Sequence, residues 1–478
     1  MQPTWPAASD ATQADPSGYL SERTIAAPCT PPGGAIGVLR VSGSEALKIG
    51  SVLTGRELRR EDDRRALFSR LRQESGQVLD EAVVTPYFGP RSYTGEDSLE
   101  IAVHGSPRIM ERVLDAVFSL GARLALPGEF SFRAVKNGKM SLSQAEAVRE
   151  LVAAENDFAL ELALEKLSGS QHRLVAGIRD DLMQLCVLSE LGIDFADQDV
   201  DEVSLPRLKG RLSALREMLT ELVGSFDRGS KLAEGVPVTI FGLPNAGKSS
   251  FFNSLLGEDR SIVSQVAGTT RDVIRERLNL RSAGKTVTLR LSDTAGLRAE
   301  ADQIEAIGME RTLKSAVESD LLVVVIDGAE PAWQSLLPYL SRIDVEAKEC
   351  LFVLSKSDLM TPAERLRLSD EVRARFGAEG LWVSSVTHEG VVAVAEALAA
   401  AAIRRIDRGS NEVVLTRVEH VRAVEGAIRC LDRARDASDL VLFATDVRHG
   451  MSELGPLIGE TLPDDILGKI FSDFCIGK

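Results

Sequence analysis

The chain has no long uninterrupted apolar run. No stretch reaches the ~18 apolar residues that a membrane-spanning helix requires, and the N-terminus lacks a charged segment followed by an apolar one. We therefore expect no membrane span and a cytoplasmic location. Hydrophobic residues make up 44% of the 478 residues, which supports real cores and leaves room for two or three domains.

Cysteines are few, and basic residues are outnumbered by acidic ones. The five cysteines are scattered without the spacing of metal sites, which predicts reduced thiols. The formal net charge of −15 is unfavourable for an RNA-binding protein, because contacts with phosphates require Lys and Arg. An RNA partner would therefore need a local basic surface on this chain or a second protein that supplies one.

A complete phosphate-binding loop, G-x-x-x-x-G-K-S, occupies residues 242–249. An apolar, β-prone run precedes it at 236–241 and a helix-forming run follows at 250–256, which is the strand–loop–helix context that the motif needs. A chance glycine turn would not have these flanks. Lys248 would reach the outer phosphates of a nucleotide, and the Ser249 hydroxyl would ligate Mg²⁺.

Two downstream elements favour GTP over ATP. The first is D-T-A-G at 293–296, in which Asp293 would hold Mg²⁺ through water and the Gly296 amide would sense the γ-phosphate. The second is S-K-S-D at 355–358, which follows an apolar run predicted to be a buried strand. Guanine-specific proteins carry N-K-x-D at that point.

Asp358 is the predicted guanine reader. Its carboxylate would accept two hydrogen bonds from guanine, whereas adenine would leave it unpaired at a cost on the order of 1–3 kcal/mol. Ser355 stands where the motif usually has Asn, and its side chain is shorter. We expect GTP specificity to survive this change with some loss of affinity.

The segment A-G-T-T-R-D at 267–272 is a candidate switch. Thr270 would ligate Mg²⁺ through its hydroxyl and release it when the γ-phosphate leaves. The segment resembles the bacterial translation-factor class of GTPases rather than the Ras class. Leu297 follows D-T-A-G at the place where Ras-like enzymes have a water-orienting glutamine, so the protein needs another way to position water and neutralise charge.

Apolar periodicity and composition change along the chain and divide it into predicted domains. The fold class that we predict is multidomain α/β plus all-α, with a helical domain interrupted by a P-loop, Ras-like GTPase domain. Glycine-containing segments at 228–230 and 234–235 are the predicted hinge into that domain. The predicted divisions are a disordered tail at 1–20, an N-terminal α/β domain at 21–139, helical parts at 140–230 and 403–478, and the GTPase domain at 231–402.

Motifs at both ends of the chain resemble those of one family. They are T-P-P-G-G-A-I-G-V-L-R-V-S-G at 30–43, S-Y-T-G-E-D-S-L-E at 92–100, H-G at 104–105, L-P-G-E-F-S at 126–131 and C-I-G-K at 475–478. Combined with a GTPase placed inside another domain, they are similar to the MnmE or TrmE family of tRNA-modifying GTPases. The resemblance runs from about residue 23 to the end.

The resemblance implies a K⁺-activated GTPase. K⁺ would take the place of an arginine finger, and Glu305 would orient the attacking water. The implied ligands of K⁺ are Asn245 together with Ser264, Val266 and Thr269. The complete expected GTP-binding set is Asn245, Ala246, Gly247, Lys248, Ser249, Ser250, Ser264, Gln265, Val266, Ala267, Gly268, Thr269, Thr270, Asp293, Thr294, Ala295, Gly296, Ser355, Lys356, Asp358, Ser384 and Ser385.

The resemblance also implies a folate site in the N-terminal domain, which would be the dimerisation unit as well. The ligand would be 5-formyl- or methylene-tetrahydrofolate, and the contacts would come from Arg40, Glu100, Lys139 and Lys478. Cys475 is either a thiol that acts chemically at this site or part of a tail that docks for structure only. A prenylation box is excluded because Gly and Lys, not aliphatic residues, complete the C-terminus.

The function that follows from the resemblance is tRNA modification. With an FAD-dependent partner in a heterotetramer, the chain would add an aminomethyl or carboxymethylaminomethyl group to C5 of the wobble uridine. Two alternatives stay open: a GTP-dependent ribosome-assembly or signalling switch, and a folate-dependent one-carbon transferase acting on a small molecule. The folate-like domain and Cys475 argue against the first.

Overall fold

The structure is a computed structural model. It describes residues 19–194, 204–257, 276–291, 305–343, 348–406, 413–459, 471, 474 and 477, with the backbone alone for 305–311. The chain divides into two compact units: Met1–Arg149, Lys166–Leu215 and Gly426–Lys478 form the first, and Glu150–Glu165 and Arg216–Glu425 form the second. Among the described residues, no helix combines the length and apolar character needed to cross a membrane.

The first unit contains a sheet of six strands in the order β3-β4-β5-β2-β1-β6. All neighbours pair antiparallel except β1 and β6. The strands are β1 Ile25–Pro28, β2 Ile36–Ser42, β3 Leu67–Arg72, β4 Val78–Tyr87, β5 Ser98–His104 and β6 Arg123–Leu124.

One face of this sheet is packed against helices, and the other carries polar and exposed residues beside a small buried cluster that includes Ile25, Ala27 and Phe130. Leu39 and Leu99 point to the packed face, against helices α1 (Ala46–Thr54) and α2 (Pro107–Ser119). Because side chains alternate along a strand, Arg40 and Glu100 lie on the opposite face, where they are register partners. Ile36 of β2, which is 64% exposed, shares that face.

The rest of the first unit is helical. Short helices α3 (Glu129–Lys136) and α4 (Leu142–Ala153) precede the long helix α6 (Ser170–Asp194). Helix α6 packs against α15 (Leu440–Ile458), the last long helix among the described residues, and Cys186 and Met451 are both buried there. The other helices are α5 Asp157–Leu167, most of which belongs to the second unit, and α7 Leu205–Gly224 and α14 Val418–Asp436, which each contribute residues to both units.

The leucine stripe predicted for an amphipathic helix lies on α7. Leu208, Leu212, Leu219 and Leu222 are all buried, so the stripe forms core as expected. The segment 228–230, predicted as part of a hinge, is instead helical and belongs to α8 (Phe226–Glu234). A side-chain carbon on Gly229 would lie 2.0 Å from the Leu415 carbonyl oxygen, so this glycine permits close packing rather than a turn.

The second unit contains the nucleotide-binding sheet. Its strand order is β12-β11-β10-β7-β9-β8, parallel except for the antiparallel pair β8–β9. The strands are β7 Val236–Phe241, β8 Glu276–Ser282, β9 Lys285–Leu291, β10 Leu321–Asp327, β11 Glu349–Ser355 and β12 Gly380–Trp382, and the helices are α9 Lys248–Gly257, α10 Glu305–Glu318, α11 Leu337–Leu340, α12 Pro362–Phe376 and α13 Val391–Ile406.

The central strand β10 shows why the sequence 321–327 is continuously apolar. Val323 and Val325 pack into the core on one side of the sheet, while Leu322 and Val324 pack into the core on the other. A parallel strand covered on both faces needs apolar residues at every position. The predicted buried parallel strand and the predicted P-loop α/β architecture are therefore confirmed.

Candidate functional site

The phosphate-binding loop joins β7 to α9 at the carboxyl edge of the second sheet. Asn245 and Gly247 both adopt positive φ angles, 61° and 85°, which curl the backbone ahead of the helix. The Lys248 ammonium donates to the carbonyl oxygens of Gly242 (3.0 Å) and Leu243 (2.7 Å), so it lies over the loop. Ser249 follows in the first turn of α9, where the helix N-terminus favours anions.

Ser355 connects the predicted base-recognition segment, residues 355–358, to the phosphate-binding loop. Its hydroxyl donates to the Ala246 carbonyl oxygen at 2.7 Å, and its side chain is buried. The Ile326 carbonyl oxygen lies farther away, at 3.2 Å. A short serine therefore braces the loop directly. The sequence alone did not reveal this contact, because the two residues are 109 positions apart.

Asp358 lies beside the last strand in the predicted reading position. Its Oδ1 accepts a hydrogen bond of 2.6 Å from the Ser384 hydroxyl, which also accepts from the backbone N–H groups of Val386 and Thr387. Lys356 has a positive φ of 59° and forms an ion pair of 2.6 Å with Asp327. The carboxylate is thus fixed by a side chain that is itself held by a turn.

The structure brings together part of the expected GTP site. Residues 245–250, 355–358 and 384–385 meet along one edge of the second sheet. The predicted switch residues 264–270, the D-T-A-G segment 293–296, Cys475 and Lys478 lie outside the described residues, and Glu305 is described only as the first residue of helix α10. Their assignment stays a prediction.

The Mg²⁺ and K⁺ sites predicted here depend partly on those segments. Among the residues that the structure describes, no group of three or more His, Cys, Asp or Glu side chains is arranged to hold a metal ion. The hydroxyl of Ser249 and the amide of Asn245 remain the described oxygen donors of the expected sites. The curled loop, the lysine above it and the helix N-terminus fit a nucleoside triphosphate.

A second group of functional candidates lies on the open face of the first sheet. Arg40 donates to Glu100 Oε1 through Nη2 at 2.8 Å and through Nε at 3.1 Å, and Tyr87 donates to Glu100 Oε2 at 3.2 Å. The Arg40 guanidinium also lies 4.7 Å from the centre of the Tyr93 ring and 5.6 Å from that of Phe130. These contacts place a cation, a carboxylate and two aromatic rings in one cluster.

The surroundings shift the pKa values of two members of this cluster. Burial lowers the pKa of Arg40, but the neighbouring Cys29 thiol and the Glu100 carboxylate raise it more, so it lies above its ordinary value. Burial, together with the charge of Glu100, raises the pKa of Tyr87. Arg40 is therefore a permanent cation, and Tyr87 is a neutral donor at physiological pH.

Lys139, the third described folate candidate, lies beside the neighbouring loop. Its ammonium donates to the Pro90 carbonyl oxygen at 2.8 Å. The same loop is fixed by Glu96, which pairs with the buried Arg133 at 3.0 Å and accepts from Ser42 at 2.9 Å. Part of the S-Y-T-G-E-D motif is therefore structural, a role that only the fold reveals.

Gly477, near the chain end, contacts a residue close to this cluster. The Cys29 thiol donates to the Gly477 carbonyl oxygen at 3.3 Å, and Cys29 directly follows β1, in which Ala27 is the register partner of Arg40. Phe471 packs edge-on against Phe132, with ring centres 5.7 Å apart. Sequence reasoning missed Cys29, Tyr87 and Tyr93. Of these three residues, only Tyr93 could have been identified from the sequence, because it lies in the motif S-Y-T-G-E-D-S-L-E at 92–100.

Two family models match consecutive parts of the chain. The family model for the GTP-binding protein TrmE N-terminus matches residues 24–139, and the model for the MnmE helical domain matches residues 142–475. The tRNA modification GTPase MnmE of Azoarcus sp. (strain BH72) is 40% identical over 456 residues, which are 95% of this chain and 98% of the relative.

Two further comparisons concern Aquifex aeolicus. Its tRNA modification GTPase MnmE is 36% identical over 463 residues, covering 95% of this chain and 99% of the relative. Among solved structures, a single-substitution variant of its Era bound to GDP and AlF₄⁻ is 21% identical, and the match covers 41% of this chain and 66% of that chain with a TM-score of 0.27.

Proposed function

The chain belongs to the MnmE family of tRNA modification GTPases, and from that premise we propose how it uses GTP and what it adds to tRNA. It is a GTP-hydrolysing enzyme that works in tRNA modification. The observation that carries the proposal is the joined loop and base-recognition segment, in which Ser355 bonds to the phosphate-binding loop and Ser384 fixes Asp358.

In the proposed GTP site, each residue has a separate task. Lys248 leaves the loop carbonyls to contact the outer phosphates, and Ser249 with Thr270 ligates Mg²⁺. Asp293 and Gly296 sense the γ-phosphate, and Asp358 reads guanine. The distance of 2.6 Å between Asp358 and the Ser384 hydroxyl supports the last assignment, because it fixes the carboxylate before the base binds.

We assign K⁺ to the position of an arginine finger. Asn245, which is exposed and held at a positive φ of 61°, would ligate it with oxygen atoms of Ser264, Val266 and Thr269. A cation there would offset the charge that develops between the β- and γ-phosphates. Glu305, at the first turn of α10, would orient the water because Leu297 cannot.

The folate proposal is supported by the cluster around Arg40. Arg40 would pair with a ligand carboxylate and Glu100 would accept from the pterin ring, with Lys139 and Lys478 as further contacts. Arg40 and Glu100 pair with each other and would exchange partners on binding. Tyr93 and Phe130 offer ring faces beside the cation. Bound 5-formyl- or methylene-tetrahydrofolate would supply the one-carbon unit.

The homodimer is proposed to form through the face of the first sheet that carries Arg40 and Glu100. Phe68 of β3 is 74% exposed and Val83 of β4, its register partner, is 39% exposed. Ile36 extends this apolar surface. Exposed apolar residues grouped on one sheet face are typical of a protein–protein interface, and burial of this surface against a second copy of the chain would be favourable.

The proposed product is a tRNA with an aminomethyl or carboxymethylaminomethyl group at C5 of the wobble uridine. An FAD-dependent partner would form a heterotetramer with the dimer in the cytoplasm and supply the redox step. The net charge of −15 supports a partner that carries most of the RNA-binding surface. Cys475 stands next to Phe474, which is buried, and either acts on the bound folate or only helps the tail to dock.

The modification is tested by the tRNA nucleosides of a strain that lacks this chain. We expect the C5-modified wobble nucleosides to disappear and to return with the wild-type gene. They should not return with Lys248→Ala, which removes phosphate binding. Unchanged nucleosides in the deletion strain would refute the proposed chemistry and favour a regulatory GTPase. A Cys475→Ser gene that restores modification would exclude a chemical role for that thiol.

The cation mechanism is tested separately with the purified protein. GTP hydrolysis is measured in KCl and in NaCl at equal ionic strength, for the wild type and for Asn245→Ala. We expect stimulation by K⁺ that the variant loses. Equal rates in both salts would remove K⁺ from the mechanism and leave the GTPase assignment intact.

A further inference from the structure

A short segment from outside the predicted GTPase domain is part of the nucleotide-binding unit. Residues Glu150–Glu165 cluster with Arg216–Glu425, although the intervening residues Lys166–Leu215 belong to the other unit. Phe158 of this segment is 6% exposed and packs in the same core as Val287 and Leu289 of β9. The segment therefore packs against the sheet that carries the phosphate-binding loop.

A buried chain of hydrogen bonds joins this segment to both strands of the β8–β9 hairpin. Asn156 donates through Nδ2 to the Thr288 hydroxyl at 2.8 Å, and that hydroxyl donates to Asn279 Oδ1 at 2.6 Å. The three side chains are 7%, 2% and 4% exposed. Asn279 and Thr288 are register partners on the two strands. The Asn156 side-chain amide is therefore linked through Thr288 to both strands at one register position.

The other end of the Asn156 amide is fixed as well. Its Oδ1 accepts from the Ala159 backbone N–H at 2.8 Å, which caps the first turn of α5. The amide thus has its oxygen on the helix and its nitrogen on the hairpin. A buried polar group satisfied on both sides has one favourable orientation, so the helix and the hairpin are held in a defined relation.

The tip of the hairpin is held by the next residues of the segment. The Thr286 backbone N–H donates to Asp157 Oδ2 at 2.6 Å. The Lys285 ammonium lies 4.9 Å from the centre of the Phe158 ring and 3.9 Å from Glu161 Oε1. The hairpin is therefore anchored in its middle and at its turn.

The β8–β9 hairpin lies in the chain between the two predicted switch segments, so its contacts with residues 156–161 affect where both segments begin or end. Its first strand follows the predicted switch residue Thr270, and its second strand ends shortly before the predicted Mg²⁺ residue Asp293. β9 also pairs with β7, whose end leads into the phosphate-binding loop. A shift of the hairpin would therefore displace the points at which the chain enters both segments that are predicted to contact the γ-phosphate.

We propose that Asn156 is a positioning residue of the GTPase, which sets the hairpin between the two switch segments and thereby the rate of hydrolysis. The proposal rests on GTP hydrolysis alone and is independent of the proposed K⁺ and folate sites. It also means that the helical segment 150–165 adjusts the nucleotide site through buried contacts within its own unit.

The test uses the full chain and two substitutions at the ends of one hydrogen bond. Asn156→Ser keeps a capping oxygen for Ala159 but cannot reach Thr288, and Thr288→Val keeps the volume but loses the hydroxyl. Ser369→Ala is the matched control, because it removes one side-chain hydrogen bond, to the Trp382 indole N–H at 2.9 Å, elsewhere in the same unit.

We expect kcat for GTP to fall about ten-fold in either variant, as small displacements of reacting groups cost rate. Affinity for fluorescent GDP should stay within about two-fold, since the phosphate-binding loop and Asp358 are unchanged. The double variant should be no slower than Thr288→Val, because that substitution already removes the bond to Asn156 together with the bond to Asn279. Ser369→Ala should keep kcat.

Three outcomes would overturn the proposal. The first is an unchanged kcat with a lowered melting temperature in both variants, which would make the bond purely structural. The second is a loss in the double variant equal to the product of the single losses, which would show independent effects. The third is an equal loss of kcat in Ser369→Ala. A wild-type protein without GTP hydrolysis would instead contradict the family assignment.

Discussion

Replacing Ser355 by alanine tests how this chain compensates for the missing asparagine of the guanine motif. The Ser355 hydroxyl bonds to the Ala246 carbonyl oxygen at 2.7 Å, and the side chain is 3% exposed. Alanine would remove the donor and leave a buried carbonyl without that partner. A lost neutral hydrogen bond of this kind costs about 1–2 kcal/mol.

That cost should appear in nucleotide affinity, because the bond joins the base-recognition segment to the phosphate-binding loop. If half or more of this cost is lost from the free energy of nucleotide binding, the Kd for GDP and GTP rises about 2- to 30-fold, since 1.4 kcal/mol corresponds to a factor of ten. Preference for GTP over ATP should persist, because Asp358 and its bond to Ser384 are untouched.

The assay is equilibrium binding of fluorescent GDP and GTP analogues to the full chain. Ser355→Asn serves as the restoring variant, because its amide can donate to the same carbonyl and Gly247 leaves space beside it, with no side chain of its own. Ser341→Ala is the control for removal of an exposed hydroxyl in the same unit.

An unchanged affinity in Ser355→Ala would refute the reasoning, since the bond between the Ser355 hydroxyl and the Ala246 carbonyl oxygen would then make no contribution to nucleotide binding. Equal weakening in Ser341→Ala would also count against it. A Ser355→Asn protein that binds more weakly than Ser355→Ala would show that this site accepts only a small side chain.

Three further predictions concern recognition, pH and packing. Asp358→Asn should weaken GTP binding about 10- to 100-fold and favour xanthosine triphosphate, whose C2 carbonyl accepts from an amide, as competition binding would show. Burial raises the pKa of Cys350 to about 11 from 9.0. The folded state then keeps a proton that the unfolded chain releases, so this contribution to stability is full below pH 9 and is lost as pH rises towards 11. Denaturation with urea should show a smaller decline over that range in Cys350→Ser. Gly229→Ala should destabilise the fold by more than about 2 kcal/mol, because the new carbon would clash with the Leu415 backbone, whereas Gly224→Ala, with open space around it, should change stability by less than about 1 kcal/mol. Equal melting temperatures for the two glycine variants would contradict this account.

The fold class was predictable because its signals are local. An apolar run before G-x-x-x-x-G-K-S fixes strand, loop and helix together, and the continuous apolar run 321–327 requires a strand covered on both sides. The predicted hinge at 228–230 was wrong, since a glycine can permit either a turn or the close approach of another backbone segment. At Gly229 the nearby Leu415 carbonyl, far along the chain, decides which of the two applies.

The sequence by itself determined which chemistry is proposed for the nucleotide site, because the roles proposed for Lys248, Ser249 and Asp358 depend on side-chain types at fixed local spacing. Only the tertiary structure decided which partners orient them. Ser355 reaches Ala246 across 109 positions, and Asn156 reaches Thr288 across 132. No periodicity encodes such contacts, since they arise from the order of strands in a sheet and from the burial that makes a single hydrogen bond decisive.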